Sequence, residues 1–205
     1  MHISWLGNTA LKLQAKPLTS DVTVVIDPYK SEAGAMPRSL TPDLAVFTRT
    51  EKDAITLSGT PFVLATPGEA DVKGVLVTAV EGHDETHVMV RIDAEQISLG
   101  HVGLTNKPLT PRQSEVLSGV DVLCIPVGHE QGYDTEQAIK IVNELEPRIV
   151  IPIAFKSDVD PNAQTADAFI KEMGMAGKVS PEKKVILKKK DLPLEETQLV
   201  LLSKE

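Results

Sequence analysis

The sequence predicts an α/β fold made of two sheets covered by helices, and three observations carry that prediction. The first half of the chain has the cadence of short strands, the second half changes to strand, helix, strand, and no stretch between them is long enough to act as a linker. At 205 residues the chain is long enough to bury a core without disulfides or structural metal, and it is expected to form one domain over residues 1–205.

Residues 2–6, 10–15 and 22–27 are rich in Ile, Val and Leu and are broken by Gly7-Asn8 and by 17–20, as in an antiparallel meander. Further strands are expected at 44–47, 62–64, 75–80, 87–92 and 97–99, separated by turn residues such as Gly59-Thr60-Pro61 and Pro67-Gly68. Thr110-Pro111-Arg112-Gln113 is a capping box with proline at the first helical position, opening a helix that ends near Gly119. Residues 120–127 then read as a buried strand. Asp134 with Gln137 is a second capping signal, and Ala138, Ile141, Val142 and Leu145 form one apolar helical face that stops before Pro147. A strand at 149–153 completes a βαβ unit whose right-handed crossover brings Pro126-Val127-Gly128 and Pro152-Ile153-Ala154 to one sheet edge, where a site would sit. A third helix over 166–173 and strands at 185–187 and 198–202 close the chain. The run Lys188-Lys189-Lys190 reads as a solvated strand end.

Composition narrows the function. Twenty-one Lys and Arg against 29 Asp and Glu leave a net charge of −8, which repels phosphate backbones, and 3% aromatics leave few surfaces on which bases could stack. Nucleic acid is therefore not an expected partner. Apolar stretches such as Leu123 to Val127 are strand-sized, far below the roughly 20 residues of a membrane helix. Met1-His2-Ile3-Ser4-Trp5 lacks the basic start and apolar run of a leader, and the single Cys124 suits a reducing compartment, so a cytoplasmic location is expected. Cys124 itself lies within Val122-Leu123-Cys124-Ile125 and reads as core filler, not as a nucleophile. Asp27 is expected to organise the turn after its strand through its side-chain carboxylate.

Several segments in order resemble the compact bacterial Zn-dependent hydrolases of the metallo-β-lactamase fold: Ile3 to Gly7, Val25-Ile26-Asp27-Pro28-Tyr29, Gly59 to Val63, Pro67-Gly68-Glu69, Leu109-Thr110-Pro111, Val120 to Gly128 and Glu146 to Pro152. The resemblance implies a four-layer αββα sandwich and, at its sheet edge, two zinc ions whose bound hydroxide attacks an ester, lactone, amide or phosphoester. Such a centre needs imidazoles and carboxylates converging from separate loops.

The resemblance also implies where those donors should stand. The first motif, His-x-His-x-Asp-His, falls on Arg49-Thr50-Glu51-Lys52-Asp53-Ala54, where only Asp53 fits. A guanidinium stays protonated, and if Arg49 points inward, its charge about 4 Å from a divalent cation would cost roughly 8 kcal/mol at an effective dielectric near 20. The mid-chain histidine corresponds to His83, which is equally a residue of the hairpin turn Gly82 to Thr86. The bridging aspartate corresponds to His101 in Leu99-Gly100-His101-Val102-Gly103, and an imidazole is a poor bridge between two cations. The last histidine falls on Ala154.

Arg49, Ala54 and Ala154 are thus degenerate ligand positions, and the sequence leads to two readings. The first is a protein that has lost its metal cage, with Arg49 ion-paired to Glu51 or Asp53 in the old cavity, no metal cofactor, and a small molecule or protein as partner. The second is a hydrolase with a reduced site of Glu51, Asp53, His83 and His101 holding one Mn, Fe or Zn ion. His129 is expected to line the cleft in either case, and a homo-oligomer is compatible with both.

Overall fold

The computed structural model describes residues 1–31, 33, 34, 37 and 40–205. In chain order the elements are β1 (His2–Gly7), β2 (Ala10–Ala15), β3 (Val22–Ile26), β4 (Leu44–Val46), a 3-10 turn (Glu51–Asp53), β5 (Phe62–Leu64), β6 (Gly68–Val72), β7 (Val75–Glu81), β8 (Val88–Ala94), β9 (Ile97–His101), α1 (Pro111–Leu117), β10 (Val122–Pro126), α2 (Thr135–Leu145), β11 (Ile149–Ile153), α3 (Asp167–Glu172), β12 (Val185–Ile186), a 3-10 turn (Lys189–Asp191) and β13 (Gln198–Leu199). They form two mixed sheets, of order β12-β1-β2-β3-β4-β5 and β13-β11-β10-β9-β8-β7-β6.

The first sheet is antiparallel from β12 to β3 and parallel from β3 to β5. The second is antiparallel from β6 to β9 and parallel from β9 through β10 and β11 to β13. The sheets stack face to face over one core, in which Trp5, Leu13, Val24, Ile26 and Val46 of the first meet Val77, Ile92, Leu99, Cys124 and Ile151 of the second. Side chains alternate along β10: Val122 and Cys124 join that core, while Leu123 and Ile125 face Ile141, Val142 and Leu145 of α2 and Phe169 of α3. Burial on both faces explains why this strand is continuously apolar. The three α-helices among the described residues flank the second sheet, and the outer face of the first packs Leu6, Ala10 and Val25 against Leu40, Ile55 and Leu57. This is a sandwich of two mixed sheets with helices on the outer face of the second, the α/β class that the sequence predicts.

Both capping boxes form. Thr110 accepts from the Gln113 N–H and Asp134 from the Gln137 N–H, and each glutamine returns a bond to the backbone N–H of its cap. The strand β6 is absent from the sequence reading, which places a turn at Pro67-Gly68. Its burial pattern is mostly exposed, so no alternation betrays it. It is held as a hairpin with β7 through Lys73 and Gly74, both at positive φ, the conformation that a two-residue hairpin turn requires. His87, assigned by sequence to a strand, lies instead in the turn before β8, where its N–H donates to the Asp84 carbonyl. The basic run is not simply solvated. Lys189 reaches back to Asp121 at 2.9 Å, to both carboxylate oxygens.

Cys124 is fully buried, and burial pushes its thiol far above the ordinary range. A thiol reagent such as DTNB is expected to leave it untouched in the native protein and to titrate one thiol per chain only after denaturation. Stoichiometric reaction of the folded protein would contradict the buried placement. Among the described residues no helix is long and apolar enough to cross a membrane.

Candidate functional site

The carboxyl ends of β3, β4, β10 and β11 point to one edge, the position at which open α/β sheets collect ligands. There the β1–β2 turn and the segments following these strands enclose a cleft of about 340 Å³, lined among others by Thr9, Asp27, Tyr29, Arg49, His129 and Asp160. A larger hollow of about 760 Å³ lies at the opposite edge, between Val142, Glu146, Glu172 and Glu195, away from the ends of the strands that carry Arg49 and His129.

The cleft floor is built around Asp27. Its backbone is left-handed, with φ of 49°, and its buried carboxylate accepts from the Thr48 N–H at 2.6 Å and the Thr48 hydroxyl at 2.5 Å. With the Asp27 N–H donating to the Val46 carbonyl, this staples the end of β3 to the end of β4. Asp27 does organise a turn, as the Tyr29 N–H bonded to its carbonyl shows, but its side chain is spent on the neighbouring strand.

Tyr29 follows, with its hydroxyl accepting from the Arg49 N–H at 2.9 Å. Burial, reinforced by the Asp27 charge, pushes this phenol far above its usual range, so it stays protonated. The Arg49 guanidinium lies over the Tyr29 ring, 4.3 Å from its centroid, a cation–π arrangement. The expected ion pair of Arg49 with Glu51 or Asp53 does not form among the described residues. Those two carboxylates sit on the exposed 3-10 turn, whose contact with the cleft segment is a backbone one, from the Lys30 N–H to the Asp53 carbonyl. Arg49 Nε is buried without a hydrogen-bond partner.

His101, at the end of β9, is wholly buried. Its Nδ1 accepts from the Gly103 N–H at 3.0 Å, which leaves the proton on Nε2 to bond the Thr9 carbonyl at 2.9 Å. Burial holds its pKa below the ordinary histidine value in spite of the Asp27 charge, so the ring is neutral and serves as a strut between the sheets. His83 stands apart, in the β7–β8 turn beside Gly103, Leu104 and Thr105. Burial, and then the Lys107 charge, lower its pKa, and its Nε2 is unpartnered. Ala54 bridges to Tyr29 through its backbone, and Ala154, at φ of 54°, donates its N–H to the Asn8 carbonyl.

On the opposite wall, His129 Nδ1 accepts from the Gln131 N–H at 3.0 Å, so Nε2 carries the proton towards Asp160 Oδ2, 3.7 Å away. Asp160 Oδ1 accepts from the Ala163 N–H, while Oδ2 is buried without a hydrogen bond. Gly128 locks these two loops together. Its carbonyl accepts from the Gln164 N–H, its φ is 92°, and a Cβ there would stand 2.4 Å from the Gln164 carbonyl oxygen.

Of the residues singled out in sequence, the cleft therefore collects Arg49 and His129, keeps His101 beneath its floor, and leaves Glu51, Asp53 and His83 outside. Among the described residues no three His, Cys, Asp or Glu side chains are grouped to hold a metal ion. With both His101 nitrogens engaged inside the protein, the donors present do not fit a binuclear zinc centre. Thr9, Tyr29 and Asp160 were not anticipated. The Asp160-Pro161 turn and the aromatic following Asp27-Pro28 were the only local signals for them.

The family model described as "Beta-lactamase superfamily domain" matches residues 2–154. A structure from Thermotoga maritima, named as a candidate Zn-dependent hydrolase of the metallo-β-lactamase superfamily, superposes with a TM-score of 0.82 at 24% identity over 99% of this chain and 100% of that one. Igni18, a metallo hydrolase from Ignicoccus hospitalis, gives 0.66 at 18% identity over 91% and 99%. CmlA, a diiron β-hydroxylase from Streptomyces venezuelae, gives 0.61 at 14% identity over 91% of this chain and 54% of its own. No curated protein matches. At these identities the structures speak for the fold, and with the family model covering most of the chain, the protein belongs to the β-lactamase superfamily and has the metallo-β-lactamase sandwich.

Proposed function

We propose that the chain is a non-catalytic member of this superfamily, working in the cytoplasm, whose cleft binds a small molecule without a resident metal. The observation that supports this most directly is His101. It occupies the place where the resemblance puts the bridging carboxylate, it is fully buried, and it uses both ring nitrogens on the protein's own backbone. A cation ligated there would have to displace the buried hydrogen bond of one ring nitrogen, leaving a backbone group unsatisfied at about 1–3 kcal/mol, and a pair of bridged cations would displace both. The guanidinium of Arg49 adds charge repulsion from the cleft itself. Fold and chemistry separate readily in this way.

The rival reading, hydrolysis at a reduced one-metal site, draws on the hydrolase names of similar structures. It requires Glu51, Asp53, His83 and His101 to converge, and their positions do not support that. Elemental analysis of protein purified without chelator distinguishes the two. The expected content is well below one transition metal per chain, with no ester or phosphodiester turnover above a His101→Ala control. Near-stoichiometric metal together with turnover that disappears in that variant would sink the proposal.

A further inference from the structure

The reading of the cleft as a metal-free binding site leaves its ligand open, and on that reading three atoms constrain it. Arg49 Nε, Thr9 Oγ1 and Asp160 Oδ2 are all buried, all belong to residues lining the same cleft, and none has a hydrogen-bond partner among the described residues. Buried polar groups are almost always satisfied, so three unsatisfied ones on one cavity describe what should fill it. The first is a cationic donor, the last an anionic acceptor, and the hydroxyl between serves either role.

We propose that the cleft takes a small carboxylate that also carries a hydrogen-bond donor on the neighbouring carbon, the class of 2-hydroxy and 2-amino acids. Arg49 is the anchor for the carboxylate. Its guanidinium forms no ion pair among the described residues, and its Cζ rests 4.3 Å from the centroid of the Tyr29 ring, a contact that restrains a fork suited to a planar two-oxygen anion. Lys30, exposed on the same rim, adds positive charge. The Asp27 carboxylate beneath is bonded by Thr48 and makes no ion pair with the guanidinium among the described residues.

The opposite wall chooses among anions. Asp160 Oδ2 repels a ligand that is negative all round and accepts from a hydroxyl or ammonium. The His129 N–H at 3.7 Å is too far for a full hydrogen bond and leaves that oxygen available. A phosphate meets the Arg49 requirement but brings no cation and little donor capacity to Asp160. The volume, about 340 Å³, is at the lower end of ligand pockets and suits a small acid better than a nucleotide.

The test is isothermal titration and thermal-shift measurement on protein passed over a chelating resin, with lactate, serine, acetate and inorganic phosphate as probes. Lactate or serine is expected to bind, with acetate and phosphate at least about fivefold weaker. Arg49→Met is expected to weaken binding at least about tenfold, equivalent to roughly 1.4 kcal/mol. Arg49→Lys, which keeps the charge and is the gentler change for the fold, should still lose several-fold because the planar fork is gone. Asp160→Asn should erase the preference over acetate. The proposal is overturned if phosphate binds tightest, if a well-folded Arg49→Lys or Arg49→Met protein binds as the parent does, or if no probe binds up to about 10 mM. Binding that is present before resin treatment and lost after it, and restored by a divalent metal, would instead refute the metal-free reading on which this rests.

Discussion

Trp5→Ala is expected to cost about 3–5 kcal/mol of stability, the range for truncating a large buried aromatic. The indole is almost completely buried in the core between the sheets, stacks on Phe155 with centroids 4.3 Å apart and planes 28° off parallel, and donates Nε1–H to the Asn8 carbonyl at 2.7 Å. Truncation removes the apolar area, opens a cavity between β1 and the segment after β11, and takes one of two donors from that carbonyl, which keeps the Ala154 N–H. For a chain of this size each kcal/mol is worth about 2–4 °C, so thermal unfolding followed by circular dichroism should show a melting point lower by roughly 6–20 °C. Trp5→Phe, which keeps the ring but not the donor, should recover more than half. A loss under about 1 kcal/mol for the alanine variant would mean that the ring is not the keystone its burial indicates.

The second large effect sits at the opposite edge. Asp121 is buried at the start of β10, where its carboxylate accepts from the Ser98 N–H at 3.0 Å, the Ser98 hydroxyl, and Lys189 Nζ at 2.9 Å, with Arg148 Nε at 3.5 Å. Asp121→Ala strands a buried backbone N–H and two cations. Because Lys189 and Arg148 keep 44% and 40% of their side chains in water, the cations can relax outward, and the expected loss is about 2–3 kcal/mol, the low end for a broken buried pair.

The pH dependence has a definite sign. Burial alone would raise the Asp121 pKa, but the Lys189 hydrogen bond and the Ser98 N–H outweigh it, and the folded value lies below the ordinary carboxylate range. A depressed carboxylate stabilises the fold fully above its unfolded pKa, near 4, and ceases to do so as pH falls through the folded value. The gap between parent and Asp121→Ala in urea titrations should therefore be full at pH 7 and shrink below about pH 4. A gap independent of pH would show that the ionised form is not what stabilises the fold.

The parts of the fold legible in sequence are those whose local and tertiary demands agree. β10 and β11 are apolar throughout because both faces are covered, and α1 and α2 announce themselves through capping boxes that the structure closes. β6 escaped because an edge strand facing water carries no apolar alternation, and Lys189 escaped because its partner lies 68 residues earlier. The site divides in the same way. Arg49 and His129 were legible through the resemblance, which lays the first ligand motif on Arg49 and a cleft-lining loop on His129, and the cleft collects both. Tyr29 and Asp160 were not, since what matters about them is the ring under a guanidinium and the oxygen without a donor, both products of packing. His101 was read as a possible donor to metal, but its residue type says nothing of burial, which turned it into a strut.

The order of strands also bears on how the chain matures. β1 completes its pairing only when His2 meets Ile186, and β11 only when Ile149 meets Gln198. On the ribosome the early hairpins can assemble as they emerge, yet two sheet borders stay unzipped until residues 185–199 have been made. Such late, long-range closure slows folding and lengthens the interval in which a nascent polypeptide can stick to its neighbours. Stalling or truncation before residue 185 would leave both borders bare at once, so degradation and chaperone capture should concentrate on products of that length.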